Sequence, residues 1–477
     1  MKKLFNQPCR LLALMSLALF VVFWCVWFFG CRYYLVWLEG YSYFSTLPDY
    51  TALFKSIPYG LSCYVGAFLH QFYIYPAAGA AIQALFSILP FICTGIIIIR
   101  LFKEPGRLFW IAMIPMIFMT SRQFWDLNLV TSLRFAFWSV VPMLAVVAVT
   151  MIKRPQWSLP GFLGNRILAL VIGVAVTALS VYNIVGLDPA ARQHEERARL
   201  EYLGDRHRWD DILDIVTPQE ARRDEFKRRY ALLALTEKGL IADYGFRYGL
   251  SSSEDFYFRD TIEPMSLNFN ALFYQCLGMS NASIHQAYQL GVQSVSGMGF
   301  ASLRRLADLY LRLEDHIMAS KYIDILSHST CYRRWVKNRR AVLKTIEGKE
   351  PAYTQPQYAA TIANFTHTIS SMVDRYRDNH KYADLLLCAY LADEEGDKFQ
   401  NIMRYVAQVQ YPDGKNLPRL YEEALILITM VDPYALNGYV ISEDTQARFA
   451  DYVNMMNAGK GTQALRKHAD TYWAYSY

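Results

Sequence analysis

Eight polar side chains early in the chain are of types that could do chemistry in an apolar setting: Glu39, Asp49, His70, Arg122, Gln123, Asp126, Asn128 and Arg134. Ionisable groups are costly inside a bilayer and as a rule face a cavity or one another. Arg134 could pair with Asp126, and the set could line a polar pocket. Snorkelling and ordinary loop solvation are the simpler expectation. Glu39 or Asp49, raised toward working pH by apolar surroundings, has the character of a general base. Arg122 or Arg134 has the geometry to hold a phosphate. The rest of the chain offers less. His194-Glu195 has Ala198 where a second zinc-binding histidine would stand, and no C-x-x-C or EF-hand loop is present. Gly297-Met298-Gly299 runs on to Ser302, so the third glycine of a dinucleotide fingerprint is missing. There is no phosphate loop and no G-x-S-x-G elbow. No catalytic, cofactor-binding or metal-binding set is assigned, and no cofactor is expected.

The eight cysteines form no framework. Cys276, Cys331 and Cys388 are an odd number spread over more than 100 residues, which argues for buried free thiols. Cys31 and Cys63 could pair with each other. The densest basic cluster is Arg333-Arg334-Trp335-x-Lys337-x-Arg339-Arg340. A tryptophan among cations can serve nucleic acid or acidic lipid. A solvated helix face, near anionic headgroups, is the plainer expectation, and no nucleic-acid partner is expected.

The elements that must position these groups follow from charge and apolarity. The chain has 477 residues, of which only 19% are charged, against about 25% in an average soluble protein. The charge is also unevenly spread. Residues 1–186 hold 13 Lys/Arg and 4 Asp/Glu, net +9; residues 187–477 hold 35 and 38, net −3. This excludes a wholly soluble enzyme, a disordered chain and a secreted disulfide knot. It predicts a transmembrane domain over 1–186 and a second domain over 187–477.

Residues 11–29 form an uncharged apolar run of 19, flanked by Lys2, Lys3 and Arg10. A bilayer core of about 30 Å needs about 20 such residues as a helix. The run is long and aromatic, and no small-residue cleavage site follows it, so an uncleaved span is expected rather than a signal peptide. Further runs lie at 77–99, 129–152 and 163–186, with a shorter one at 108–120. About five crossings, N-terminus in the cytoplasm, place nine of the 13 basic residues on cytoplasmic sides and four outside. The positive-inside rule favours that arrangement. The expectation is a multi-pass protein of the inner (cytoplasmic) membrane with its C-terminal domain periplasmic. The segment 57–75 carries His70 and Gln71 and is expected to be interfacial or re-entrant.

After Asp188, a plausible N-cap ahead of Pro189, helix follows helix. Fourteen candidates run from 189–206 to 442–457, with apolar positions at i, i+3, i+4 spacing and short glycine-containing breaks. The fold class is all-α, antiparallel hairpins following the transmembrane helices. Residues 303–331 place Leu306, Ala307 and Tyr310 on one helix and Ala319, Ile323 and Leu326 on the next. This spacing resembles a tetratricopeptide repeat, which puts small residues where two helices touch. Leu303 occupies the first large position, Cys331 stands where that family prefers proline, and no tryptophan is present. Looser echoes occur at 226–247 and 382–405. The resemblance implies a repeat-like superhelix. The segment 416–425 (NLPRLYEEAL) and the stretch 44–84 also resemble an uncharacterised family of Bacteroidota integral membrane proteins, which implies the same layout and no chemistry.

Two functions of different classes follow. The leading expectation is a non-enzymatic, membrane-anchored scaffold that presents its helical domain to a protein partner outside the cytoplasm. The alternative is an integral glycosyltransferase-like enzyme acting on a lipid-linked sugar, with Glu39 or Asp49 as base. The acidic dyad of such enzymes is absent here, since Glu39 and Asp49 stand apart. A transporter fits poorly without inverted repeats.

Overall fold

The computed structural model describes residues 7–152, 154–158, 166–186, 189–293, 297–352 and 365–476. Lys2, Lys3, Lys153 and the expected N-cap Asp188 lie outside the described residues. The described chain is helical, with no strand beyond a single bridge between Phe102 and Trp157. It divides into two compact units: Met1–Tyr202 with Gly291–Ala352, and Leu203–Leu290 with Tyr353–Tyr477. The bounds differ from the sequence division at 186/187, because the segment 291–352 packs with the N-terminal helices.

In the first unit the helices are α1 (Gln7–Gly30), α2 (Arg32–Gly40), α3 (Pro48–Leu53), α4 (Gly60–His70), α5 (Pro76–Leu101), α6 (Phe109–Gln123), α7 (Val130–Ile152), α8 (Arg166–Val185) and α9 (Pro189–Gly204). Three helices are long and apolar enough to cross a membrane: Pro8–Gly30, Pro76–Leu101 and Val130–Ile152. A fourth candidate is the bent pair Ala169–Val185 and Pro189–Gly204. At 15 residues α6 is about 22 Å long, short of a full core thickness. The segment 57–75 forms no spanning helix; it holds the 11-residue α4 and a 3-10 turn, Gln71–Ile74.

Contacts fix the directions of five of these helices. Trp24 Nε1 donates to Ala77 O at 3.0 Å, and Leu12 packs where a Cβ on Gly95 would stand, so α1 and α5 are antiparallel. Gln123 bonds to Gln83, which makes α6 antiparallel to α5 as well. Met113 meets Gly173, and Asn183 Nδ2 donates to Ile117 O at 3.3 Å, so α6 and α8 run parallel. Arg154, just past α7, donates to Ile99 O at 2.8 Å, so α7 follows α5. The five helices therefore alternate in direction, and the short α6 runs through the same layer as the others. Their outer faces are apolar: Phe137, Trp138, Leu144 and Val149 on α7 and Leu170, Val171 and Val174 on α8 are exposed. Such a contiguous apolar band is what a bilayer covers.

The same unit takes in three later helices, Phe300–Arg312, His316–Ser327 and Arg333–Thr345. The first two form the hairpin expected at 303–331. Leu306, Ala307, Ala319, Ile323 and Leu326 are fully buried, and Asp315 caps the second helix by accepting from the Met318 N–H at 2.9 Å.

In the second unit most expected helices are present; 239–248 is reduced to Ile241–Tyr244, and of 356–378 the part before 365 lies outside the described residues. One expected helix, 218–237, is broken into Pro218–Arg223 and Glu225–Lys238. The reason is Asp224, whose extended backbone and carboxylate cap the second piece by accepting from the Phe226 and Lys227 N–H groups. The helix His380–Ala392 is buried almost all round, from Ala383 to Ala392, and forms the centre of this unit. Of the looser echoes, 382–405 is a full hairpin (His380–Ala392 and Gly396–Gln410), whereas the second helix at 226–247 has only four residues, Ile241–Tyr244.

Candidate functional site

One end of the first unit gathers most of the polar residues singled out above. Glu39 ends α2 and is completely buried. The Tyr332 phenol donates to Glu39 Oε1, and Arg304 Nη2 lies 3.9 Å from Oε2. Burial and the adjacent carboxylate hold the Tyr332 hydroxyl well above its ordinary pKa, so it remains a donor. Around this bond the returning segment is laced to the first loop by backbone. Phe300 N–H donates to Ser42 O (2.9 Å), Thr46 N–H to His328 O (3.1 Å), and Thr330 N–H to Gln71 Oε1 (3.0 Å). Gly299 allows this approach, since a Cβ there would stand 2.4 Å from Gly40 O. Tyr332 and Phe300 stack at 4.6 Å.

Deeper in the bundle, Gln83, Ser87 and Gln123 are buried and bonded to one another. Ser87 Oγ donates to Gln123 Oε1 at 2.8 Å, and Gln123 Nε2 donates to Gln83 O at 2.6 Å. His70 is also buried; its ring lies against Tyr73 and its Nε2 has no hydrogen-bond partner. Burial lowers its pKa to about 4, so the imidazole is neutral at pH 7.

Several expectations change here. Arg134 does not pair with Asp126. The Asp126 carboxylate caps α7, accepting from the Thr131 and Ser132 N–H groups at 3.1 and 2.6 Å, while Arg134 stacks over the Tyr59 ring at 4.0 Å. A helix N-terminus offers the carboxylate two directed donors and a favourable dipole, which the arginine does not. Glu39 is sealed, and Asp49 is exposed in the first turn of α3; the two carboxylates occupy opposite environments. Cys31 and Cys63 are not joined, and all eight cysteines are free. The basic cluster is partly spent internally: Arg339 forks onto Asp308 at 2.5 and 3.0 Å, and Arg340 pairs with Asp324 at 2.9 Å. Arg333, Arg334 and Lys337 remain exposed. Among the described residues no group of His, Cys, Asp and Glu is arranged to hold a metal ion.

Sequence reasoning missed Tyr332, Arg304 and the Gln83–Ser87 pair. The last was legible, as two polar residues four apart inside an apolar run. Tyr332 and Arg304 carried no pattern of their own.

The second unit has a different feature. Between the helices Arg419–Ile428 and Glu443–Asn457 the chain turns outward, exposing Met430, Val431, Tyr434 and Val440. Backbone bonds hold this loop: Val431 and Asp432 N–H to Ile428 O, Ala435 N–H to Asp432 O, and Val440 N–H to Gly414 O at 2.7 Å. The Asp432 carboxylate also accepts from Tyr434 N–H at 3.0 Å. Val431 lines a cleft of 390 Å³ whose charged wall is Glu394, Glu395, Asp397, Lys398 and Asp432. Val440 lines a second, of 500 Å³, with Lys415, Arg419, Glu422 and Asp444. Four apolar side chains on a fastened loop between two clefts are an arrangement suited to contact with another macromolecule.

The chain belongs to a family of unknown function, DUF6057, which matches it over residues 7–187 and 137–477. No curated protein and no solved structure matches it.

Proposed function

We propose that this member of the family is a membrane-anchored interaction protein that presents its helical region, outside the cytoplasm, to a protein partner. The observation that carries the reading is the exposed ridge of Met430, Val431, Tyr434 and Val440, fixed by its own backbone bonds. Large apolar side chains held outward by a rigid loop cost solubility unless a partner covers them. The cleft beside Val431 is acidic, four carboxylates against Lys398, so the matching partner surface is apolar with basic edges. The tetratricopeptide-like part of the reading rests on the hairpins at 300–327 and 380–410.

The side of the membrane is supported by charge. With helix directions alternating, Arg10, Arg100, Lys103, Arg107 and Arg154 fall at one end of the bundle and Arg32, Lys55, Arg122 and Arg134 at the other. The basic end is the cytoplasmic one under the positive-inside rule. The segment 298–332 is bonded to Ser42, Thr46 and Gln71, at the opposite end.

Tyr434→Cys, treated in intact spheroplasts with a membrane-impermeant thiol crosslinker, tests both points. A discrete protein adduct is expected, absent from the parent chain and lost when Val431→Asp is added. No adduct, or one indifferent to Val431→Asp, overturns the reading.

A further inference from the structure

The two ends of the membrane bundle close differently. Where α1 and α8 end, a Cβ on Gly30 would stand 2.6 Å from Val185 Cγ1, so the helices touch. Toward the basic end they part, and the short α6 does not fill the space. Between α1, α6 and α8 lies a groove of 1120 Å³. That exceeds the roughly 300–1,000 Å³ of an ordinary small-molecule site.

Small residues make the room: Ala18 on α1 and Ala169, Gly173 and Ala178 on α8 line it. The nearest atom to a Cβ on Gly173 would be Met113 Sδ, at 3.4 Å. Thr177 is the one hydroxyl among the described lining residues, and it donates to Gly173 O at 2.8 Å. The walls are therefore largely hydrocarbon, and a mostly apolar space with few polar partners is a poor water site. Among the described lining residues the charged ones are Lys103, Glu104 and Arg107, at the mouth. Glu104 and Arg107 pair at 2.8 Å, and no carboxylate among the described residues pairs with Lys103. Trp110 lines the groove one helical turn in from Arg107, the placement of a residue that is apolar at one end and polar at the other.

We propose that the groove binds an anionic phospholipid, its acyl chains along α1, α6 and α8 and its phosphate at Lys103. Hydrocarbon satisfies the walls whatever the headgroup. The net positive mouth, with Arg10 one residue before the lining Leu11, is what selects an anion. The occupant is a lipid rather than a helix of a second copy, because the opening narrows between helices already in contact at Gly30 and Val185.

The test uses the full chain in mild detergent, with dioleoylphosphatidylglycerol and dioleoylphosphatidylethanolamine added in equal amounts and bound lipid read by native mass spectrometry. The parent chain is expected to retain the glycerol lipid through delipidation in preference to the ethanolamine lipid. Lys103→Ala, an exposed position, is expected to lower retention of the anionic lipid about fivefold, the effect of one basic residue at a headgroup. It should leave the zwitterionic lipid unchanged. Gly173→Phe places a ring in the groove and is expected to remove both. Equal retention of the two lipids by the parent chain overturns the proposal, as does anionic retention unaffected by Lys103→Ala.

Discussion

In the first unit the phenol of Tyr332 donates to Glu39; in the second the phenol of Tyr421 donates to Asp384 at 2.7 Å. Both carboxylates and both phenols are buried. The surroundings differ. Glu39 also faces the Arg304 guanidinium, and its tyrosine lies 293 positions along the chain. Among the described residues no arginine or lysine is in ion-pair contact with Asp384, its tyrosine is 37 positions away, and its titratable neighbours include His380 and Asp243. Burial pushes the Asp384 pKa up to about 6, against the opposing effects of Tyr421 and His380. The same bond thus does two jobs. Glu39 fastens a segment that returns to its unit after residues 203–290 have been placed in the other one. Asp384 ties two neighbouring core helices, His380–Ala392 and Arg419–Ile428, and takes up a proton as pH falls through about 6.

The sharpest way to break the comparison is at Glu39. Glu39→Ala takes the acceptor from the buried Tyr332 hydroxyl and the carboxylate from beside Arg304, at a cost of about 3 kcal/mol. The loss is expected as a lower unfolding midpoint in detergent and as protease access to the segment 297–352. Glu39→Gln keeps an acceptor for the phenol and recovers most of it. A Glu39→Ala chain as stable as the parent would make the junction a product of the backbone bonds alone.

The junction also shows where sequence reading stops. The long apolar helices at 11–29, 77–99 and 129–152 were legible because length and apolarity sufficient to cross a bilayer show in a contiguous run. Ala307 and Ala319 were legible because helix contact imposes small residues at fixed spacing, and both are fully buried. The membership of 291–352 in the first unit was not, since it depends on backbone and side-chain bonds between residues some 260 to 290 positions apart. Gly299 illustrates the point. As a motif it was a failed dinucleotide fingerprint; in the fold it is the position without a Cβ that lets Gly40 and Tyr41 approach. Asp126 was noticed for its charge, but its partner is the start of α7, a choice made by a turn that no periodicity encodes.

The second unit predicts a smaller effect. Tyr421→Phe removes the donor from Asp384 and is expected to cost about 1–2 kcal/mol at pH 7, where the carboxylate is ionised and needs it most. Glu39 and Asp384 are then distinguished by size of effect, measured as the shift in unfolding midpoint. A Tyr421→Phe loss equal to that of Glu39→Ala would show that separation along the chain and the presence of Arg304 make no difference.

The smallest effect is the most telling, because its sign is fixed by the proton. The Asp384 pKa is raised from 3.8 to about 6 in the folded chain. Between those values the native state holds a proton that the unfolded chain has released, so stability falls as pH rises through this window. The contribution is full below about pH 3.8 and gone above about pH 6. The parent chain is therefore expected to lose stability between pH 5 and pH 7. In Asp384→Asn, which cannot ionise, that part of the slope disappears. A slope between pH 5 and pH 7 that is the same in Asp384→Asn as in the parent chain would instead mean that Asp384 is held ionised. The two carboxylate–tyrosine pairs would then be the same device in different places.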